Sequence, residues 1–552
     1  MNRMLDFIAF RAPLQQQVYF ILAVVSVLYL FNFHVNDIWT PNESFYAEAV
    51  REMYESDNFL EIKYNYEPRY NKPPLTYWAI AASVGVFGMN EFGIRLPIVL
   101  MAIGAIWFTY LLGKQLYGQR GGLYAMVMMA FSVQLLAVKQ YASPEIPLTF
   151  FFTATMYYFI KGFMDRKAGP LYLSYVMLGF SVLTKGFPYI IVAAAIIGLY
   201  ILTRGPLTWR RIWDDIKFMR LPIGIPIMLL IGLSWVIFMY LKDGQEFWEV
   251  YYRETFGRAF SKKTNGPQPF FYLEVISWSI LPYSLAFFFA LIKWVKDRAD
   301  FKKVLFPFCW FICMFVIFTS AKGKIPTYMI QAHPAMLLMI VPLLLEYRPG
   351  KKIWELLWSF VFLFPAVLIL AANVALIYLL NMHWAFYAVP ILSVAMLAYF
   401  HFQKAEDKNP LLAAAPFWVI FGLLVCFGAF LPQLEQFRPY DELGEALAKN
   451  EAIAPDTPVM IEATLIHNIP FYTRRFAERD QTPEQIQAHA GPTLALVRDT
   501  SLDALSGFET IWSGMIYDFP SESQFAKFIA ACVEAQEGDL SKFALYHLVY
   551  RK

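Results

Sequence analysis

Long apolar segments separated by short polar ones make up most of the chain. Apolar segments of about 17–25 residues have the length that crosses roughly 30 Å of hydrocarbon as an α-helix. The pattern therefore predicts an all-α polytopic membrane protein. We predict thirteen membrane spans, near residues 18–36, 95–113, 121–138, 145–162, 171–183, 187–203, 222–241, 272–293, 304–319, 327–345, 354–379, 384–401 and 411–431.

A shorter apolar run, residues 75–88, decides how the chain is threaded. Counting this run as a span gives fourteen crossings, and omitting it gives thirteen. Basic linkers collect on the cytoplasmic side of a membrane. With thirteen crossings every basic linker falls on the side of the N-terminus, so we predict that 75–88 lies at, or dips into, the outer interface. These linkers are residues 114–120, 163–170, 204–221, 294–303, 346–352 and 402–410.

This threading puts the N-terminus in the cytoplasm and the unusual polar residues outside. The longest outer loop between spans is residues 37–94, and residues 432–552 also lie on the outer side. The first apolar segment follows no small-residue cleavage site, which indicates a retained signal anchor rather than a removed signal peptide. We therefore divide the chain into a transmembrane domain, 1–431, and an outer domain, 432–552.

The last 120 or so residues have a different, polar character and predict a small α/β domain. Helical patterns occur near 441–450 and 521–535. Alternating or continuous apolar runs typical of strands occur near 458–463, 493–498 and 543–550. A segment of this length can bury one modest core.

Composition agrees with a membrane protein and excludes some other classes. Of the 552 residues, 58% are hydrophobic and 16% are charged, whereas soluble domains are about 25% charged. The net charge of +3 comes from loop residues, so it does not indicate a nucleic-acid partner. Four cysteines and seven scattered histidines form no metal-binding spacing, and we predict no metal site.

The first outer loop begins with Asn42 and Glu43, directly after a predicted span. The stretch 43–54 has apolar residues, including Tyr46, at helical spacing. Asn42 could be the N-cap of this helix, with Glu43 in its first turn, where the helix dipole favours an acid. Alternatively, Glu43 is a carboxylate that faces a reaction centre at the membrane boundary.

Two further residues of the outer loops also have both a structural and a functional interpretation. Lys72 precedes Pro73 and Pro74, which break a helix and make a rigid corner. It could reach lipid phosphates in general or bind the phosphate of one specific lipid. Glu145 begins a predicted span, where an ionisable residue is either stabilised by the helix N-terminus or functional.

The remaining outer segments carry cations and tyrosines close to the bilayer. Residues 184–188 offer Lys185, the loop 242–271 offers Arg258, and residues 320–330 offer Lys324 and Tyr328. Each of these is weak evidence alone. Carboxylates and several cations on one membrane face suit an anionic, lipid-linked substrate whose phosphate must be held.

These motifs, in this order, resemble the GT-C membrane glycosyltransferases. The resemblance rests on NESFYAEAVREM (42–53), EPRYNKPPLTYW (67–78), GIRLP (93–97), TKGFP (184–188) and KIPTY (324–328). The most similar branch contains the bacterial aminoarabinose transferases of lipid A, which also resemble protein O-mannosyltransferases. The resemblance implies thirteen spans, an active site on the periplasmic side, a polyprenyl-phosphate sugar as donor and inversion at the anomeric carbon.

The chain departs from the family pattern at several positions. The family's Asp-Glu-x-x-Tyr reads Asn42 to Tyr46, so an amide replaces the first acid. The second acidic motif usually has Asp where this chain has Glu145. Lys72 and Arg258, which the resemblance assigns to phosphate binding, are kept. A Glu and a His that resemble a metal pair in some relatives are absent, and we predict no zinc there.

The resemblance yields an expected site and set of partners. Glu43 or Glu145 is the candidate base for a hydroxyl acceptor, whereas a phosphate acceptor is already anionic near pH 7 and needs no base. With such an acceptor, Asn42 could act by hydrogen bonding. We expect no required cofactor (a divalent cation is not visible in the sequence), a monomer and a location in the bacterial inner membrane. Lys72, Arg258, Lys324, Tyr328 and Tyr46 are the expected phosphate-binding set.

Three other functions remain open on the sequence. The acceptor could be a protein or another envelope glycan instead of lipid A. A flippase or transporter would also need many spans, but its charged residues should lie near the middle of broken helices. Here they cluster in the outer loops. A scaffold built on the C-terminal domain is the third alternative.

Overall fold

A computed structural model of the protein describes residues 13–257, 268–297, 299–346, 352–401, 428, 430–462, 466–518 and 525–552. Most of this structure is helical. Its helices, numbered α1 to α17 in chain order, are Leu14–Leu30, Asn42–Glu55, Leu75–Phe87, Glu91–Ala130, Val133–Val138, Glu145–Asp165, Ala168–Lys185, Pro188–Thr203, Trp209–Phe218, Leu221–Gly232, Ser234–Tyr252, Phe271–Ser279, Ser284–Lys296, Leu305–Ser320, His333–Glu346, Lys352–Leu379 and Ala388–His401.

Three helical segments in the described ranges are long and apolar enough to cross a membrane by themselves. They are Glu91–Ala130, Phe301–Ser320 and Pro326–Glu346. Two bent pairs of helices bring this number to five if each pair is one span. The count of thirteen spans therefore stays a prediction, and most of the predicted span 411–431 falls outside the described residues.

Two of the predicted spans are broken rather than straight. The span predicted near 272–293 consists of Phe271–Ser279 and Ser284–Lys296, which meet at an angle of 120°. Pro282 lies in the break, where it removes a backbone donor. The span predicted near 222–241 bends by 51° between Gly232 and Ser234. Apolar periodicity continues across both breaks, and it therefore predicts one helix where the backbone forms two.

The helix α4 is also interrupted, and glycines explain how its two parts pack. Gly118 has φ of 78°, a left-handed conformation that glycine adopts without steric cost. The chain folds back at Gly118 and brings Gly122 close to the first part of the helix. A Cβ on Gly122 would lie only 2.7 Å from the carbonyl oxygen of Tyr110. A side chain at Gly122 would push the two parts of α4 apart.

The first outer loop contains α2, a short hairpin and α3. Strands β1 (Lys63–Tyr64) and β2 (Glu67–Pro68) pair antiparallel. Asn65 and Tyr66 form the turn with φ of 55° and 63°, as a two-residue hairpin turn of this hand requires. Helix α3 matches the run predicted at 75–88, and its location at the outer interface stays a prediction.

A small sheet domain follows the helical part. Its strands are β3 (Val459–Glu462), β4 (Ala477–Gln481), β5 (Thr493–Arg498), β6 (Glu509–Tyr517) and β7 (Phe543–Arg551), arranged in the order β4-β3-β5-β7-β6. Strand β3 is parallel to β4 and β5, and β7 is antiparallel to β5 and β6. The helices α18 to α23 are Leu431–Leu434, Tyr440–Ala448, Ile469–Thr473, Pro483–Ala488, Asp499–Leu502 and Phe525–Gln536. The strands and helices predicted here are confirmed, and β4 and β6 are additional.

The sheet domain is hydrogen-bonded to the start of the first outer loop. Arg438, whose side chain is fully buried, lies over the ring of Trp39 at 3.8 Å and donates to the carbonyl of Ile38 at 2.8 Å. The carboxylate of Asp37 accepts the backbone N–H groups of Tyr440 and Asp441, each at 3.0 Å. The two parts of the chain therefore share one buried polar interface.

Further contacts extend this interface along the loop. Asn468 donates to the carbonyl of Ile38 at 2.7 Å, and the hydroxyl of Tyr472 accepts the backbone N–H of Ile38 at 2.8 Å. At the hairpin, the amide side chain of Asn65 donates to the carbonyl of Ala477 at 3.0 Å and accepts its N–H at 2.8 Å. Backbone groups of the loop are thus satisfied by a domain about 400 positions away in the sequence.

We expect Arg438→Ala to loosen this interface. The substitution leaves Glu435, which is 24% exposed, without its 2.8 Å partner and uncovers the ring of Trp39. Losing a hydrogen bond to a charged group costs about 2 kcal/mol. The midpoint of thermal unfolding in detergent micelles should fall clearly. The control is Lys449→Ala, which removes an ion pair with Glu445 that is 75% and 62% exposed. Equal midpoints for the two variants would contradict the role of Arg438.

Candidate active site

Glu43 lies in the first turn of α2 and is fully buried. Its carboxylate is paired with Arg95, whose Nε donates to Oε1 at 2.9 Å and whose Nη2 donates to Oε2 at 2.8 Å. The backbone N–H groups of Trp39 and Ala142 donate to the same carboxylate at 2.9 and 3.0 Å. Four hydrogen bonds therefore hold the side chain that the sequence offered as a candidate base.

Asn42 is the first residue of α2 and is exposed. The N-cap position belongs to Pro41, and no side chain caps this helix. The N-cap hypothesis for Asn42 is therefore wrong. The amide lies at the surface, beside a carboxylate that is completely engaged.

Glu145 begins α6 and forms an ion pair with Lys185. Its Oε1 lies 2.7 Å from Nζ of Lys185, and the two side chains are 13% and 10% exposed. Lys185 is also 4.7 Å from the centre of the Tyr328 ring, within the range of a cation–π contact. The structure thus brings Glu145 and Tyr328 together through a lysine, and the carboxylate keeps an accessible edge.

The backbone around Glu145 is fixed by one buried amide. Gln331 donates from Nε2 to the carbonyl of Glu145 at 3.3 Å and to the hydroxyl of Thr149 at 3.4 Å. The hydroxyl of Tyr189 donates to Oε1 of Gln331 at 3.3 Å. The sequence did not indicate Gln331, because it lies in an apolar segment with no motif of its own.

Tyr46 lies on α2 in the first outer loop. Its ring stacks on Tyr77, with ring centres 4.3 Å apart and an angle of 24° between the planes. Burial raises the pKa of Tyr46 well above its usual value; Tyr77 and the negative charge of Glu145 add to this, and the guanidinium of Arg69 opposes it. Tyr46 is therefore neutral near pH 7. The charges of Glu145 and Arg69 act on its pKa in opposite directions.

The other predicted phosphate-binding residues are less closely grouped. Lys72 is half-buried and lies two residues before Pro74, at the start of α3. Lys324 is half-buried and donates to the carbonyl of Ala321 at 2.6 Å, within its own loop. Arg258 lies outside the described residues. Their common role in binding one phosphate stays a prediction.

A second acidic group on α2 is formed by Glu48 and Glu52. Arg51 makes two bonds of 2.8 Å to the buried Glu48. Burial, and then the charge of Glu48, raises the pKa of the neighbouring Glu52 to about 8. Glu52 also accepts the backbone N–H of Tyr66 at 3.0 Å. These residues hold the β1–β2 hairpin against α2.

In the part of the chain that the structure describes, no three His, Cys, Asp or Glu side chains form a group that could hold a metal ion.

The chain is similar to known proteins over most of its length. A family profile described as dolichyl-phosphate-mannose-protein mannosyltransferase matches residues 71–251. An uncharacterised protein of Aquifex aeolicus is 32% identical over 515 residues, which cover 92% of this chain and 95% of that protein. The undecaprenyl phosphate-alpha-4-amino-4-deoxy-L-arabinose arabinosyl transferase 1 of Pseudomonas fluorescens is 27% identical over 375 residues. That match covers 65% of this chain and 62% of the transferase.

One solved fold matches nearly the whole structure. The crystal structure of ArnT from Cupriavidus metallidurans bound to undecaprenyl phosphate superposes with a TM-score of 0.75 at 18% identity. The match covers 91% of this chain and 97% of that one. The same protein in its apo state gives a TM-score of 0.73. The arrangement of the helices and of the C-terminal sheet domain is thus shared at low sequence identity.

We expect Glu43→Gln to destabilise the fold, because it leaves Arg95 as an uncompensated charge with 1% exposure. Breaking such a pair costs about 3 kcal/mol. Replacing both residues in Glu43→Gln/Arg95→Met should cost less than the sum of the two single changes. The three midpoints of thermal unfolding in detergent test this coupling. Additive shifts would contradict a structural ion pair and would return Glu43 to the candidate bases.

Proposed function

Because the chain belongs to the GT-C superfamily of membrane glycosyltransferases, in the branch that resembles the aminoarabinose transferases, we propose that it transfers a sugar from a polyprenyl-phosphate donor to a lipid A-type acceptor. The observation that carries this proposal is the partly buried group of Glu145, Lys185 and Tyr328, whose carboxylate also raises the pKa of Tyr46. It offers a carboxylate, a cation and aromatic rings at one place, as transfer of a sugar from a phosphate requires.

The donor phosphate needs positive charge when its bond to the sugar breaks. We assign this task to Lys72, Lys324 and Arg258, with the hydroxyl of Tyr328 as a further donor. Lys185 is bound to Glu145, and it lowers the negative charge that the leaving phosphate would otherwise meet. Prepositioned cations of this kind stabilise charge as it develops, since they need no reorganisation during the reaction.

The two carboxylates of the outer face receive different roles. Glu43 is a positioning residue, because all four of its hydrogen bonds are to protein groups. Glu145 keeps an accessible edge and is the candidate base for a hydroxyl acceptor. With a phosphate acceptor no proton has to be removed, and Glu145 then only orients Lys185.

A second acceptor class is supported by the family profile, which is described as a protein mannosyltransferase and matches residues 71–251. A protein hydroxyl or the hydroxyl of another envelope glycan would be the acceptor in that case. Such an acceptor would need Glu145 as base, so the two classes differ in their dependence on this residue.

The chain is a multi-pass membrane protein, as its family is. We propose thirteen spans, a cytoplasmic N-terminus, and an active site and sheet domain on the periplasmic side of the bacterial inner membrane. The boundary between the two domains is placed at residues 431 and 432. We also propose that the protein acts as a monomer and needs no metal cofactor, with lipids and the two substrates as its partners.

Deletion of the gene should remove one sugar substituent from lipid A. We expect mass spectrometry of lipid A to show the loss of a single glycosyl mass, restored by the plasmid-borne chain. The same cells supply envelope glycans and glycoproteins for comparison. Unchanged lipid A together with an altered glycoprotein would replace the first acceptor class by the second.

Three variants test the site in the purified, reconstituted chain. Lys72→Ala should lower kcat by about 10²-fold, the loss typical of one donor to a developing anion. Glu145→Gln should lower kcat by about 10²-fold or more if the acceptor is a hydroxyl, and much less if it is a phosphate. Lys449→Ala, far from the site and exposed, should leave the rate unchanged. Full activity of Lys72→Ala would remove this lysine from the phosphate site.

A further inference from the structure

Arg69 is a half-buried guanidinium without a hydrogen bond in the described part of the chain. It follows the β1–β2 hairpin, and its backbone N–H donates to the carbonyl of Ile62 at 2.8 Å. Its guanidinium carbon lies over the Phe45 ring, 3.8 Å from the ring centre, within the range of a cation–π contact. The Nε atom is completely buried, and no described group accepts its proton.

Three buried arginines of the described residues differ from Arg69 in having a carboxylate partner. Arg51, Arg95 and Arg438 each bind a carboxylate at 2.8 Å. A buried donor without an acceptor costs free energy, most of all when it is charged. An arginine that is stacked on one face and has free N–H groups at its edge is preorganised for a bidentate oxyanion. The unbonded edge of Arg69 therefore indicates a place for an anionic ligand.

The walls around Arg69 come from both domains. Phe45 packs edge-to-face on His467, with ring centres 4.9 Å apart, and Nδ1 of His467 lies 2.9 Å from the hydroxyl of Tyr64. Burial, and then the charges of Arg69 and Arg479, lowers the pKa of His467 to about 4. His467 is therefore neutral near pH 7, and Arg69 supplies the positive charge at this place.

Arg69 also lies close to two residues of the proposed site. It lies over the ring of Phe45, the residue before Tyr46, and Lys72 follows it by three residues in the chain. Transfer with inversion needs the acceptor on the side of the sugar opposite to the leaving phosphate, so a phosphate acceptor requires a second anion site near the first. We propose that Arg69 binds the phosphate of the acceptor, while the donor phosphate is bound by the lysines described above. This inference rests on the proposed function.

The step that Arg69 would support is balanced without a base. An oxygen of the acceptor phosphate forms a bond to the anomeric carbon, and the bond between that carbon and the donor phosphate oxygen breaks. A dianionic monoester becomes a monoanionic diester, and the donor diester becomes the dianionic polyprenyl phosphate. Total charge is conserved and no proton moves. Arg69 would hold the attacking phosphate against the repulsion of the donor phosphate.

Binding measurements on the full chain in lipid nanodiscs test Arg69 separately from the reaction. The probes are bisphosphorylated lipid A, the same lipid A after phosphatase treatment, and undecaprenyl phosphate. We expect Arg69→Gln to weaken binding of bisphosphorylated lipid A at least tenfold and Arg69→Lys to weaken it about threefold, because Lys cannot bind in a bidentate way. Binding of undecaprenyl phosphate should stay within twofold, which also reports that the variants are folded.

The control is Arg210→Gln, an exposed arginine on Trp209–Phe218, which should bind all three lipids like the wild type. Equal binding of bisphosphorylated lipid A by Arg69→Gln and the wild type would overturn the inference. An equal loss of undecaprenyl phosphate would place Arg69 in the donor site and overturn it as well. If the wild-type chain binds undecaprenyl phosphate but neither form of lipid A, lipid A is not the acceptor. If it binds none of the three lipids, the proposed function itself is wrong.

Discussion

The fully buried ion pair of Glu43 and Arg95 is the interaction on which the segment 37–94 and the candidate site depend. Taking two charges out of water is expensive, and the cost is offset only when every remaining donor and acceptor is satisfied. Here Arg95 also donates to the backbone carbonyls of Asn36 and Asp37, and Glu43 accepts the N–H of Ala142. One pair thereby joins the end of the first helix region, the long helix α4 and the loop that leads to Glu145.

The same stretch of backbone is held from the other side by the sheet domain. Ile38 is bonded through its carbonyl to Arg438 and Asn468, and through its N–H to Tyr472. A loop carries unsatisfied backbone groups unless other parts of the chain bind them. The sheet domain supplies these partners, so it is part of the scaffold of the first outer loop and not only a cover above it.

Local patterns predicted the elements and the polar residues, but not how distant residues pair. The helix at 43–54 and the strands near 458–463, 493–498 and 543–550 follow from apolar periodicity, which acts over a few residues. Glu145 was predicted because an acid at the start of an apolar segment is conspicuous. Its partner Lys185 is 40 positions away, and the partner of Glu43 is 52 positions away. No short-range signal connects such residues.

Two predictions failed because they also used only local patterns. Asn42 has the chemistry of an N-cap, but Pro41 takes the cap position, and the helix begins one residue earlier than the motif suggests. The sharp bend between Ser279 and Ser284 cannot be seen in hydropathy, because both arms are equally apolar. Sequence reasoning thus identified which residues carry charge at the outer face. It could not say which charges neutralise each other, and this decides which remain for a substrate.

Which charged groups have a partner within the protein also affects which acceptor the site suits. Glu43 is neutralised by Arg95 and Glu145 by Lys185, whereas Asn42 is uncharged. Arg69, by contrast, forms no ion pair or side-chain hydrogen bond with a carboxylate of the described residues. Two phosphates that approach within the length of one sugar repel each other, and a site with additional carboxylates would add to this repulsion. In the proposed site, an amide at position 42 and the guanidinium of Arg69 would both reduce it. These features support an anionic acceptor over a neutral hydroxyl.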